Sequence, residues 1–198
     1  PDPYPESPAF RPPREGTLTH AAAHPEWYPL VGGERRFDRC ADPMNEGYAG
    51  VNVCTSNSDA VRELCRRLVD DLAGGTYRHL DVLYFCMLDN GVWCECDACK
   101  ADGNESTRQV GLVHAIRSAI LRAREAGRLG RDVRILFPAY HETLPVPDRP
   151  MPAGFDYAGC YLVFTPIERC YLHPLDDPRC TESNQELMRL MEPWIAAT

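Results

Sequence analysis

Apolar positions recur along this chain with two different periods. Between Ser56 and Gly75 they fall at Val61, Leu64, Cys65, Leu68, Val69 and Leu72, one stripe of a helix, with Ser56 to Ser58 offering capping oxygens and Gly74-Gly75 closing it. The same spacing predicts a helix from about Thr107 to Ala126, with Val113, Ile116, Ile120 and Ala123 facing inward. A third covers SNQELMRLMEPWIAA, where Ser183 and Glu186 make a capping box and Leu187, Leu190, Met191 and Trp194 recur at helical spacing, with Pro193 late in the run. Short apolar runs lie between these helices: AGVNVC, Leu80 to Leu88, DVRILFPAY and DYAGCYLVFTP. Leu80 to Leu88 is apolar on both parities, which predicts a strand covered on both faces. Pro138 falls near the end of its run, where a missing amide costs a strand least.

Strands alternating with helices predict a parallel sheet with right-handed crossovers. The segments after the strands are long and rich in His, Cys and carboxylates, whereas the helix-to-strand turns are short and plain. That is the asymmetry of a (β/α) barrel, whose functional face lies at the C-terminal ends of its strands. A complete barrel takes about 250 residues, so some four strands make half of one. The expected fold is therefore α/β: a partial (β/α)8 TIM-type barrel over residues 49–198, incomplete at its C-terminus and part of a longer protein. Residues 1–48, with PDPYPESP, RPP and VGGERR, read as a proline-rich entry segment carrying an HPEW loop.

Charge narrows the partners. The chain has 21 Lys and Arg against 29 Asp and Glu and no basic stripe, which disfavours nucleic acid and anionic membranes and suits a neutral ligand such as a sugar. It contains no apolar run of the length a membrane span requires and no signal-peptide pattern at its start.

Ten cysteines raise three readings: disulfides, a metal site, or buried thiols. Cys65 and Cys86 fall inside apolar patterns and read as core. Cys94, Cys96 and Cys99 form C-x-C-x-x-C, close enough to hold zinc at about 2.3 Å each, with a fourth ligand from elsewhere. Cys170 and His173, a C-x-x-H in RCYLHPL, are the natural donors because their loop also follows a strand. A Cys94–Cys99 disulfide, a disulfide between loops, or simple loop packing are the alternatives.

Asp89, directly after a strand, is the leading catalytic candidate, since partial desolvation raises a carboxyl pKa towards that of a general acid. Its alternative is an Asx turn in DNG. Glu142 and Glu168 are further carboxylates after strands, and Tyr140 and His141 are placed to orient a substrate hydroxyl. His24, Glu26 and Trp27 suit a sugar face or a loop that plugs the core; Trp93 offers a second stacking surface, and Asn90, Arg169 and His173 complete the expected substrate-binding set. Glycoside hydrolysis needs two acidic groups, or an acid plus a carboxylate that orients the substrate's acetamido group. No G-x-S-x-G elbow, phosphate-cradling glycine loop or papain-like cysteine context is present.

Five segments together carry a resemblance: HPEWYPLVGGERR, VCTSNSDAVREL, DNGVWCECDACK, RILFPAY and ERCYLHPLDD. In these the chain resembles the bacterial domain of unknown function 4838, linked to glycoside hydrolase family 163. The resemblance implies a barrel endo-β-N-acetylglucosaminidase acting on N-acetylglucosamine-containing glycans such as N-glycans, retaining through the substrate's acetamido group. It needs no cofactor for catalysis, and a structural zinc fits its cysteines. It also implies a longer, commonly exported parent, secreted or periplasmic. Asp89, Cys54, Cys94, Cys96, Cys99, Cys170 and His173 match the family's pattern. Asp89 is followed by Asn90 rather than a second carboxylate, so its partner comes from elsewhere or Asn90 polarises the acetamido group. A non-catalytic carbohydrate-binding barrel and a zinc-stapled structural module are the competing expectations.

Overall fold

A computed structural model describes residues 20–36, 52–88 and 92–197. Most of the proline-rich entry segment, Asp89 and Asn90 lie outside the described residues. A single turn α1 (His20–Ala23) and a 3-10 turn (Pro25–Trp27) lead into the hairpin β1 (Leu30–Val31) and β2 (Glu34–Arg35). Its two-residue turn, Gly32-Gly33, takes φ of 59° and 85°, which glycine adopts without steric penalty and which matches the twist of a tight hairpin.

The helices form where the apolar stripes place them. α2 (Ser58–Ala73) starts at Asn57, whose side chain accepts the backbone N–H groups of Asp59 and Ala60, and it buries Cys65, Val69 and Leu72. After β3 (Val82–Tyr84) come the short α3 (Asp97–Asp102) and the long α4 (Glu105–Glu125). β4 (Arg134–Ala139), β5 (Cys160–Phe164) and α5 (Asn184–Ala197) complete the described elements.

β3, β4 and β5 form a parallel sheet in that order, with Leu83 beside Ile135, Ile135 beside Cys160, and Phe137 beside Leu162. These side chains share one face, and α2 and α4 pack together to form the core with them. Ile116, Ile120, Ile135 and Phe137 are at most 1% exposed, a burial worth about 1.5–3 kcal/mol for each such side chain. Trp194 of α5 closes the same core and donates its indole N–H to the Leu144 carbonyl at 2.8 Å.

α4 buries more than its predicted stripe, because Arg108, Gln109 and Arg117 are also buried. Arg108 is held by the Cys94 carbonyl, Gln109 by β4, and Arg117 by residues before β4 and in the β4–β5 connection, the expected long proline-rich loop, which contains no α-helix and does not stand clear of the helices. That connection runs along α4 instead: Asp148 accepts from the Asn104 N–H and the Thr107 hydroxyl, and Asp156 pairs with Arg117 at 2.8 Å. Arg117 also pairs with Asp132 at 2.7 Å and donates to the Val133 carbonyl, so its buried guanidinium is fully partnered. Gln109 likewise donates to the carbonyl of Pro138 at 2.6 Å.

Two expectations are corrected. Leu80 to Leu88 is not a long strand covered on both faces: β3 has three residues, and Val82 and Tyr84 are 50% and 56% exposed. β3 is an edge strand of the described sheet, and the face opposite the helices carries Val82, Tyr84 and Tyr161 in the open. Of the expected AGVNVC strand, the described Asn52 to Cys54 carry no strand, and residues 49–51 lie outside the described residues. The fold is thus mixed α/β with a three-stranded parallel sheet, and the described residues contain no closed barrel. No helix among them is long and apolar enough to cross a membrane.

Candidate functional site

Four thiols converge beside the N-terminus of α2. Cys54, Cys94, Cys96 and Cys99 place their Sγ atoms all within 4.8 Å of one another. Cys54 Sγ lies 3.5 Å from Cys94, 3.8 Å from Cys96 and 3.8 Å from Cys99. Tetrahedral zinc with Zn–S bonds of about 2.3 Å spaces its sulfurs about 3.8 Å apart. A disulfide needs about 2.05 Å, and the cysteines of the described residues are free thiols, Cys94 and Cys99 included.

Each thiol is delivered by a different local device. Cys54 sits just before the Asn57 cap, and its backbone N–H is bonded to the Trp27 carbonyl at 2.8 Å. Cys96 is the residue that starts α3, and Cys99 lies one turn into that helix. Cys94 receives the Leu30 backbone N–H at 3.3 Å, and its own carbonyl accepts Arg108 at 2.9 Å. Amide N–H groups directed at sulfur and nearby guanidinium groups such as Arg35, at 3.9 Å from Cys94 Sγ, are what an anionic four-thiolate centre requires around it.

The protons are unevenly held. Hydrogen bonds from Cys54, Ser56 and Thr55 draw the Cys99 thiol down to about 3 against the cost of burial. The same Cys99 contact, with burial, pushes Cys54 up, and burial raises Cys94. Cys96, although burial opposes it, is lowered by Ser56 and a backbone N–H. A divalent cation would displace the remaining protons and use all four sulfurs.

The fourth thiol expected at this centre was Cys170, and the structure supplies Cys54 in its place. Cys170 and His173 lie instead with Cys180 in a separate group on the β5–α5 loop. Cys54 stands 40 residues before Cys94, so nothing in local spacing joins it to C-x-C-x-x-C. Asn52 was also missed. It is 4% exposed and bonds both the Leu88 N–H and the Val92 carbonyl, gripping the two ends of the segment that carries Asp89 and Asn90.

The expected substrate-binding residues do not gather in one place. His24 stacks on Trp27 at 3.9 Å, its Nδ1 lies 3.3 Å from Glu26, and this loop packs beside Cys54 and α2. Trp93 is 7% exposed, packed with Met87 and Leu112 under the Arg108 guanidinium, so it is core and offers no open face for a sugar. At the C-terminal ends of β4 and β5 lies a cleft of about 850 Å³, lined by His141, Glu142, Glu168, Arg169 and Cys170 together with Glu186 of α5. Glu142 and Glu168 are thus brought to one cleft, and both are exposed. His141 adopts φ of 45°, a left-handed conformation costing a non-glycine residue about 1–2 kcal/mol. A neighbouring hollow of about 580 Å³ shares Arg169 and adds Tyr84, Tyr140 and Tyr171.

Comparison with protein-family models, curated proteins and solved structures finds no match to this chain.

Proposed function

We propose that this chain is a zinc-stapled sector of a (β/α)-barrel protein that acts on N-acetylglucosamine-containing glycans. The zinc is structural and is held by Cys54, Cys94, Cys96 and Cys99; the observation that carries this part is the near-tetrahedral spacing of four free thiols. The ion ties the HPEW loop, the start of α2 and the segment leaving β3 to one point. Four thiolates leave no coordination position for substrate, so this centre shapes the face and does no chemistry.

The glycan-acting part of the reading is supported by different features. Two carboxylates, Glu142 and Glu168, follow adjacent parallel strands and line one cleft beside a tyrosine-lined hollow. The open sheet face bearing Val82, Tyr84 and Tyr161 is of the kind that a barrel turns inward and fills with side chains. With the resemblance described above, these favour a retaining glycoside hydrolase with Asp89 as acid or acetamido-orienting group and Glu142 or Glu168 as its partner. Hydrolysis of a chitobiose-containing glycan by the full-length protein is the test. Asp89→Asn should lose turnover by orders of magnitude with an unchanged melting curve, and one of Glu142→Gln and Glu168→Gln should do the same. Glycan binding without product would instead make the domain a non-catalytic binder, and neither binding nor product would leave the zinc module alone.

A further inference from the structure

The β5–α5 loop holds a second convergence of metal-binding atoms, and it shares no ligand with the four-thiol centre. Cys170 Sγ and Cys180 Sγ each lie 3.2 Å from Nδ1 of His173, and all three ligand atoms are within 4.8 Å of one another. Both contacts are within hydrogen-bond distance, but a neutral imidazole nitrogen offers one lone pair or one N–H in the ring plane, so two sulfurs share at Nδ1 what one linear bond would use, whereas a metal ion would engage all three atoms at once. Both cysteines are free thiols, so a disulfide does not draw them together. In a tetrahedral site with Zn–S of about 2.3 Å and Zn–N of about 2.0–2.1 Å, each sulfur stands about 3.5 Å from the nitrogen. The observed contacts are close to that edge.

The loop is also built to hold this shape. Asn184, with 0% exposure, accepts the Cys170 N–H at 2.8 Å and directs its amide at the carbonyls of Cys170, His173 and Pro174. The Gln185 N–H bonds the Cys180 carbonyl at 3.0 Å, so the start of α5 fixes the backbone of all three ligands. A fully buried side chain committed to one irregular loop preorganises it, as partners behind metal ligands do.

We propose that Cys170, His173 and Cys180 bind a second zinc ion, through two thiolates and Nδ1, at the edge of the Glu142–Glu168 cleft. Two thiolates neutralise the divalent charge, and sulfur with imidazole suits zinc over magnesium or calcium. With three protein ligands among the described residues, one tetrahedral position is left for water or for a ligand entering the cleft that Cys170 lines. The site is therefore open where the four-thiol centre is closed.

The experiment is zinc stoichiometry on the reduced full-length protein after removal of loosely bound metal, with alkylation of each cysteine mapped by mass spectrometry. The expected result is two zinc ions per chain, falling to one in Cys180→Ser and in His173→Ala and, separately, to one in Cys99→Ser. In the wild type, zinc should protect Cys170 and Cys180 from alkylation and EDTA should expose them, a readout that needs no variant to fold. Stoichiometry unchanged by Cys180→Ser and His173→Ala, with Cys170 and Cys180 alkylated equally with and without zinc, would overturn the proposal. So would a Cys170–Cys180 disulfide in protein prepared without reductant that persists when zinc is supplied. Loss of metal in Cys99→Ser alone tests the four-thiol centre, so the two sites fail independently.

Discussion

Cys99→Ser removes one sulfur from the four-thiol centre and changes little else. The residue is 0% exposed, serine is nearly the same size, and beside the other thiols of the centre its neighbours include Thr55 at 3.4 Å and Ser56 at 3.2 Å. The consequence is carried by metal linkage. An ion that binds only the folded state stabilises it by about 4 kcal/mol when free metal stands at a thousand times its dissociation constant. A chain of 150–250 residues shifts its Tm by roughly 2–4 °C per kcal/mol, so zinc at this one centre should raise the Tm by about 8–16 °C. Measured in a Cys180→Ser background, so that only this centre responds, Cys99→Ser should abolish that rise and melt like the chelated parent. Cys86→Ser, at a cysteine expected in the core but found exposed and outside both groups, serves as the control and should keep the full zinc response. A Tm indifferent to zinc and chelator in the parent, or an undiminished zinc response in Cys99→Ser, would refute the reasoning.

Three further outcomes follow from the fold. Arg117→Ala should destabilise the chain by about 1.5–3 kcal/mol in urea unfolding, because it strips the buried partner from the part-exposed Asp156 and Asp132 and opens a void beside Gly159. The Arg117 guanidinium holds the Asp132 carboxyl below its ordinary value, so this carboxylate stabilises the native state above the unfolded pKa and its contribution is lost as pH falls through the lowered native one. The stability gap between wild type and Asp132→Asn should therefore be largest above about pH 5 and shrink on acidification below about pH 4. Asn184→Ala should cost about 1–3 kcal/mol by freeing part-buried carbonyls and an amide, and it should speed alkylation of Cys170 and Cys180 without altering that of Cys54.

The parts legible in the sequence were those set by local periodicity. The stripes of α2, α4 and α5 and the apolar runs of β4 and β5 depend on residues a few positions apart, and each formed where the pattern placed it. C-x-C-x-x-C was legible for the same reason. Cys54 was not, because it joins the centre through the docking of Trp27 and the start of α2, contacts between distant segments. Arg117, Gln109 and Asn184 were hidden by their polarity: each is buried because a neighbouring loop or strand carbonyl offers it partners, which no hydrophobic pattern encodes. The exposure of β3 has the opposite cause. Val82 and Tyr84 are strand formers that predict cover, and the described sheet leaves that face open.

The structural zinc is the claim on which the account turns, and X-ray absorption at the zinc edge tests it most directly. In zinc-loaded Cys180→Ser protein the account predicts a single shell of four sulfurs at about 2.3 Å. A shell containing oxygen or nitrogen at about 2.0–2.1 Å, or no bound zinc at all, would contradict it.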